Sequence, residues 1–359
     1  MKLVMTLRAR DEADILDAQL AFHLNAGVDF VIAIDHRSVD GTTEILESYE
    51  RSGYLHLIRE PDEGIQNEWV TRMARLAATD FDADWVINSD ADEFWWPRGD
   101  NLKDVLAAVP SRYGIVRGLW RNFVPRPDSE TFFAERMILR LSPHTPVNDP
   151  NGPYRPAAKS AHRADPHVVV VRGNHDLAGS SLVPLRGWYP IEVLHFRLRS
   201  LEQCARKFSA AWEAWSRSAS GDPTRFAAVG HEADQGGTLS ELYAAFGVDD
   251  DQVARGLEDG SLVIDTRLRD ALRTLRIADH DADKDVRRFA LPSNGTRLEL
   301  PRPDLIDDAR YAVDISALDE ANAVRLQRQV DQIDQRLASV ERRIWPRVRG
   351  RLSGARRRS

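Results

Sequence analysis

Residues 3–35 read LVMTLRARDEADILDAQLAFHLNAGVDFVIAID, and the periodicity of this stretch sets the fold. Leu3 to Leu7 is a short apolar run rich in β-formers, the pattern of a buried strand. Ala13, Leu16, Leu20 and Leu24 then recur at helical spacing, and Gly27 stands where a helix ends. Phe30 to Ile34 reads as a second strand. Working outward, a polar turn from Asp35 to Gly41 leads into a helix through Ile45, Leu46 and Tyr49 that stops at Gly53. Leu55 to Ile58 is a third strand, Gln66 to Ala78 a third helix, and Trp85 to Ile87 a fourth strand. This repeated alternation predicts an α/β protein with an open, mostly parallel sheet flanked by helices.

The remainder is less regular. Residues 125–166 hold eight of the eighteen prolines, so a surface loop is expected there. Val168 to Val171 and Ile191 to Leu194 read as strands, the latter ending at His195. Ser200 and Gln203 have capping-box spacing, and Leu201, Ala205, Phe208, Trp212 and Trp215 follow as an amphipathic helix whose aromatics are expected on the sheet. These signals divide the chain into a main domain at 1–216, a small, mostly helical appendage at 217–313, an amphipathic helix at 314–345 and a basic tail at 346–359. In the third part, Ala323, Leu326, Val330, Ile333, Leu337, Val340 and Ile344 alternate at three and four, an a/d seam. A homodimer through residues 323–344 is one use of it; packing back on its own domain is the other.

Composition narrows the function. With 42% hydrophobic and 29% charged residues over 359 positions, the chain has the make-up of a globular protein able to bury a core without staples. One cysteine, Cys204, excludes an internal disulfide framework and a cysteine-based zinc cluster. No apolar run reaches membrane-spanning length, and the charged start MKLVMTLRARDEAD lacks the form of a signal peptide, so a cytoplasmic location is expected. The net charge of −7 hides an asymmetry: eight arginines and no acid lie beyond residue 341. An acidic body disfavours nucleic acid, while the basic end suits peripheral contact with an anionic membrane at the inner face of the cell membrane.

The chemistry concentrates at the predicted strand ends. Asn88-Ser89-Asp90-Ala91-Asp92-Glu93-Phe94 follows the fourth strand, and ligands of open α/β sheets bind outside the carboxyl ends of the strands. Three carboxylates in four residues repel one another unless a cation sits among them, and Mg²⁺ or Mn²⁺ prefers such oxygens. Asp35 and Asp40 follow the second strand, placed to accept hydrogen bonds from a nucleobase and from ribose hydroxyls. Arg8 and Arg10 follow the first, where a diphosphate needs positive charge. There is no Gly-rich phosphate loop, no G-x-S-x-G elbow and no dinucleotide fingerprint. The alternating Asp279, Asp281, Asp283 and Asp285 lack the glycine and glutamate of an EF-hand, and the sequon at Asn294 carries no weight without a secretion signal.

The segments TLRARDEADIL, IDHRSVDGTTEIL and DWVINSDADEF together resemble the family 2-like glycosyltransferases with the GT-A, nucleotide-diphospho-sugar transferase fold. Within them they are most similar to a bacterial subgroup whose metal motif reads D-A-D-E-F. KSAHR at 159–163, the Gly173-Asn174-His175 turn and the LHFRLRSLEQ segment from Leu194 extend the resemblance over about residues 1–210. The sequence departs from that pattern at Asp11, where the subgroup has Asn, and at His36-Arg37.

The resemblance implies inverting transfer of a sugar from a nucleoside diphosphate sugar to a bacterial surface glycan or lipid-linked precursor. It implies Mn²⁺ or Mg²⁺ at Asp90, Asp92 and His195, with Arg8, Asp35, Asp40, Asp90 and Lys159 on the donor side. Inversion needs a base for the acceptor hydroxyl; Asp176, with His175 beside it, and Glu93 are the candidates. Two rivals stand: a sugar nucleotidylyltransferase, which would want a glycine-rich loop where LRARDEAD stands, and a non-catalytic glycan-assembly protein acting through its coiled coil.

Overall fold

The computed structural model describes residues 1–59, 66–126, 131–142, 154, 157–171, 173–216, 225–278, 285–292 and 298–355. Among the described residues, twelve strands and eleven helices follow in order: β1 Leu3–Ala9, α1 Leu16–Asn25, β2 Phe30–Asp35, α2 Thr42–Arg51, β3 Leu55–Arg59, α3 Gln66–Thr79, β4 Trp85–Asp90, β5 Glu93–Pro97, α4 Leu102–Ala107, β6 Ile115–Asn122, α5 Phe133–Arg136, β7 Leu139–Leu141, β8 Ala158–Arg163, β9 Val169–Val170, β10 Leu177–Ala178, β11 Ile191–His195, α6 Leu201–Ser216, α7 Arg225–Gln235, α8 Leu239–Phe246, α9 Asp250–Glu258, β12 Leu262–Ile264, α10 Arg267–Leu275 and α11 Leu305–Ala355. The EF-like aspartates 279, 281 and 283 and the sequon at 294–296 lie outside the described residues, as do the proline-rich stretches 127–130, 143–153 and 155–156 and the last four residues of the basic tail.

The first four strands are where the periodicity placed them. α1 starts at Leu16 rather than Ala13, because Asp11 takes a left-handed φ of 54° and residues 13–15 turn. Gly27 ends α1 at φ 117°, the amide of Val28 bonding the carbonyl of His23 at 2.9 Å and that of Gly27 the carbonyl of Leu24 at 3.4 Å. Only a residue without Cβ takes that conformation without strain.

Eight strands form one sheet in the order β3-β2-β1-β4-β8-β6-β11-β5. β3, β2, β1 and β4 run parallel, β6 and β11 run parallel, and β8 joins the halves antiparallel to both neighbours. β5 closes the far edge antiparallel to β11. The sheet is therefore mixed and mostly parallel, and it curls: Ala91 and Asp92 carry the chain from β4 to β5, which sits three strands beyond β8. The carboxyl ends of β1, β2, β4, β6 and β11 and the starts of β5 and β8 share one edge.

β8 corrects the expectation of an unbroken loop across 125–166. Ala158–Arg163 is a central strand, with Ala161 paired to Ile87 on one side and Val116 on the other. The two tryptophans of α6 also differ from expectation. Trp212 stacks on His231 of α7 at 3.8 Å and meets Trp215 at a tilt, 4.6 Å away, while Phe208 packs with Phe226 of α7 and Phe246 of α8. The apolar stripe of α6 serves those helices, not the sheet.

Beyond residue 217, Leu268, Leu272, Leu275, Phe289, Leu298 and Leu300 belong to the same buried cluster as Leu3, Phe22 and Trp95. α11 is anchored at its start, where Tyr311 and Leu318 pack with Leu119 and Tyr189. Among the described residues no helix is long and apolar enough to cross a membrane.

Candidate active site

The acids of the β4–β5 turn meet basic side chains from four other elements. The register sets Arg8 of β1 beside Asp90 of β4, and His195 of β11 between Asn122 of β6 and Glu93 of β5. Lys159, at the start of β8 and 1% exposed, pairs with Asp90 at 2.7 Å and Glu93 at 2.8 Å. Asn174, in a left-handed turn after Gly173, donates to Asp90 at 3.4 Å. Trp120 of β6 donates its indole N–H to Glu93 at 3.0 Å and stacks on His195 at 4.3 Å.

Lys207 of α6 closes the site from above. Its ammonium donates to Asp92 and to the carbonyl of Arg197, and lies 3.8 Å from Glu12. Glu12 and Asp14, from the segment after β1, share Arg199, a fully buried guanidinium that also donates to the carbonyl of Phe196. Asp11 accepts from the amide of Val39 at 2.8 Å and ties the β1 turn to the β2 turn.

The charges settle accordingly. Burial opposes ionisation of Asp92, yet Lys207 and His195 hold its carboxyl well below the usual carboxylate range. Burial likewise opposes Asp90, and Lys159 brings it down. Glu93, with no exposed surface, is pushed up to about 8 by burial despite Lys159. Burial lowers His195 against the pull of Asp92. Its Nδ1 faces the side-chain oxygen of Asn122 at 2.9 Å, and its Nε2 lies 3.6 Å from Asp92. Burial also lowers Arg8, whose Nε has no hydrogen-bond partner among the described residues.

The remaining predicted residues take other places. Asp35 accepts from Ser38 and Thr43, and Asp40 from Thr42 and the amide of Ala13, so both knit the turn after β2. Arg10 pairs with Glu213 of α6 at 3.0 Å. His175 sets its ring edge against Trp120 at 5.1 Å, with Nδ1 on the carbonyl of Ala158. Asp176 is 51% exposed, pairs with Arg117 at 3.1 Å and accepts from the amide of Leu177, without contact to Asp90, Asp92 or Glu93. Among the described residues, the group with ligand atoms all within 4.8 Å of one another is Asp92, Glu93 and His195; Asp90 stands beside it on Lys159.

Sequence reasoning missed Lys207, Glu12, Arg199, Asn174 and Trp120. Lysine scarcity was the available signal for the first: the chain has five lysines, and two of them are here.

A curled, mostly parallel sheet with acids and bases gathered at its carboxyl edge defines a GT-A-like α/β protein. Residues 6–162 match the model of glycosyltransferase family 92, which supports a glycosyltransferase. No curated protein matches the chain. Among solved structures, S. aureus TarS 1–349 is similar at a TM-score of 0.33 and 13% identity, over 62% of this chain and 67% of that one. Glucosyl-3-phosphoglycerate synthase from Mycobacterium tuberculosis, in complex with Mn²⁺, UDP and glucosyl-3-phosphoglycerate, is similar at 0.24 and 20% identity, over 35% of this chain and 44% of that one. TM-scores this low carry no argument about ligands or activity.

Proposed function

We propose that this protein transfers a sugar, with inversion, from a nucleoside diphosphate sugar to a bacterial surface glycan or its lipid-linked precursor. The observation that carries the reading is the convergence of Asp90, Asp92 and Glu93 with Arg8, Lys159, Lys207 and His195 at one sheet edge. A divalent cation, Mn²⁺ or Mg²⁺, fits Asp92, Glu93 and His195: two carboxylates and an imidazole whose ligand atoms lie within 4.8 Å of one another are a donor set such ions take. When bound, that ion supplies positive charge against the leaving diphosphate.

The chain's own groups do the rest. Arg8, with an unsatisfied nitrogen, offers a guanidinium to phosphate oxygens. Lys159 keeps Asp90 and Glu93 from repelling one another. The acceptor oxygen attacks the anomeric carbon as the bond to diphosphate breaks, and its proton passes to a carboxylate. Full burial under Trp120 and Lys159 suits Glu93 to holding rather than to meeting an acceptor, which favours the exposed Asp176 as base.

The test is titration of the full chain with UDP, GDP and dTDP, with and without Mn²⁺, beside Asp92→Ala. Mn²⁺-dependent binding of one diphosphate should fall at least about tenfold, or about 1.4 kcal/mol, in the variant. Undiminished binding by Asp92→Ala in chelator would remove the acid turn from the mechanism.

A further inference from the structure

α11 changes character along its length. Up to Leu318 it is held on the body: the Tyr311 hydroxyl donates to the carbonyls of Tyr189 and Ile191 at 2.7 and 3.1 Å, Asp314 pairs with Arg121, and Leu318 is 1% exposed. Further on, Leu326, Val330, Ile333 and Leu337 are 57%, 49%, 56% and 56% exposed. They form one stripe, because their spacing of four, three and four returns each to the same helix face.

The flanks of the stripe say what covers it. With Ala323, Val330, Leu337 and Ile344 at a and Leu326, Ile333 and Val340 at d, the e positions are Gln327, Asp334 and Glu341 and the g positions are Gln329, Arg336 and Arg343. In a parallel, in-register pair each g residue faces the e residue five positions on in the other chain. Gln329 then meets Asp334 of the partner subunit, and Arg336 meets Glu341 of the partner subunit. An antiparallel pair sets e against e and g against g, so no acid meets an arginine.

We infer that the stripe is covered by a second copy of this chain, in a parallel, in-register coiled coil from Ala323 to Ile344. Three heptads are short for a free peptide because helix nucleation is costly, but here the helix is already nucleated by its seat on the body at 311–318. Val330 at a with Leu326 at d suits two strands, while Leu337 at a with Ile333 at d suits higher orders, so a mass of three or four chains would overturn the pair. The inference concerns assembly and goes beyond the transferase reading; either can fail without the other.

The experiment is sedimentation equilibrium of the full chain, with far-UV circular dichroism as the check on folding. A mass twice that of the 40.6 kDa chain is expected, and Leu326→Asp with Ile333→Asp should weaken association at least tenfold with the body still folded. Arg336→Glu should weaken it about tenfold, and adding Glu341→Arg should restore it. Orientation is read by Leu337→Cys, which cross-links across a parallel pair at an a position; the native Cys204 is buried. A monomer at all concentrations, a dimer without the Leu337→Cys cross-link, a double-Asp variant that still dimerises, or a monomer that uses the stripe only to pellet with anionic vesicles would each overturn the inference.

Discussion

Lysine is scarce in this chain, five against 44 arginines, yet lysines hold all three acids of the β4–β5 turn. A compact ammonium fits between two carboxylates where a planar guanidinium needs a wider, bidentate seat. Asp90, Asp92 and His195 were readable from the sequence because each lies at a predicted strand end, and Lys159 only through the resemblance carried by KSAHR; the structure brings the four together. Lys207 was not readable: it comes from α6, more than a hundred residues from Asp92, and only tertiary packing delivers it. Lys207→Met leaves the Asp92 carboxylate buried beside His195 without that cation. A buried charge stripped of its partner costs several kcal/mol; with Lys207 26% exposed, a loss of about 2 kcal/mol in urea unfolding is expected. Mn²⁺ should then raise the melting temperature of Lys207→Met more than that of the wild type, since a ligand stabilises the state it binds. Equal shifts in both would show that Lys207 and the ion do not share Asp92.

At the scale of elements, β1 to β4 were legible because continuous apolar runs and helical spacing alternate cleanly. β8 was not: AKSAHR has no β-branched residue, and its strand character comes from β4 and β6 on either side. Its His162 shows the cost of burying a polar strand. His162 lies at 0% exposure with Nδ1 on the carbonyl of Arg163, and burial lowers it to about 4. His23 of α1, between the carbonyl of Gln19 and the amide of Trp95, is lowered by burial to about 4 as well. Both folded values lie below the ordinary histidine value of about 6.5. Between those values the unfolded chain binds protons that the folded chain refuses. The stability they contribute is therefore full above about pH 6.5 and lost as pH falls toward 4, by up to about 1.4 kcal/mol per pH unit for each histidine. Urea midpoints from pH 7 to pH 5 should fall, and His162→Asn should flatten the slope. The same slope in His162→Asn would exclude His162 as a source.

At the scale of the molecule, the chain beyond residue 217 looked detached because it is polar and Asp-rich. Leu268, Leu272, Leu275, Phe289, Leu298 and Leu300 nevertheless enter the main core, and charge ties it there too. Arg121 of β6, 2% exposed, pairs with Glu192 of β11 and Asp314 of α11. Glu192 also takes Arg98 and Arg267, and Asp265 takes Arg140 and Arg267. Burial opposes the charge on Glu192, and Arg121 and Arg267 hold its carboxyl well below the usual range. Such a network is weak evidence of net stabilisation, but removing one member strands the others. Arg121→Met leaves Asp314 without its cation and Glu192 with two of three, and it removes a guanidinium 5.1 Å above the Tyr311 ring. A loss of about 3–5 kcal/mol is expected, together with new protease cuts in residues 305–320 as the head of α11 lifts. Asp314→Asn should cost less, because Arg121 keeps Glu192. If Arg121→Met unfolds at the wild-type urea midpoint, the seat of α11 is held by Tyr311 and Leu318 alone, and the buried charges are dispensable to it.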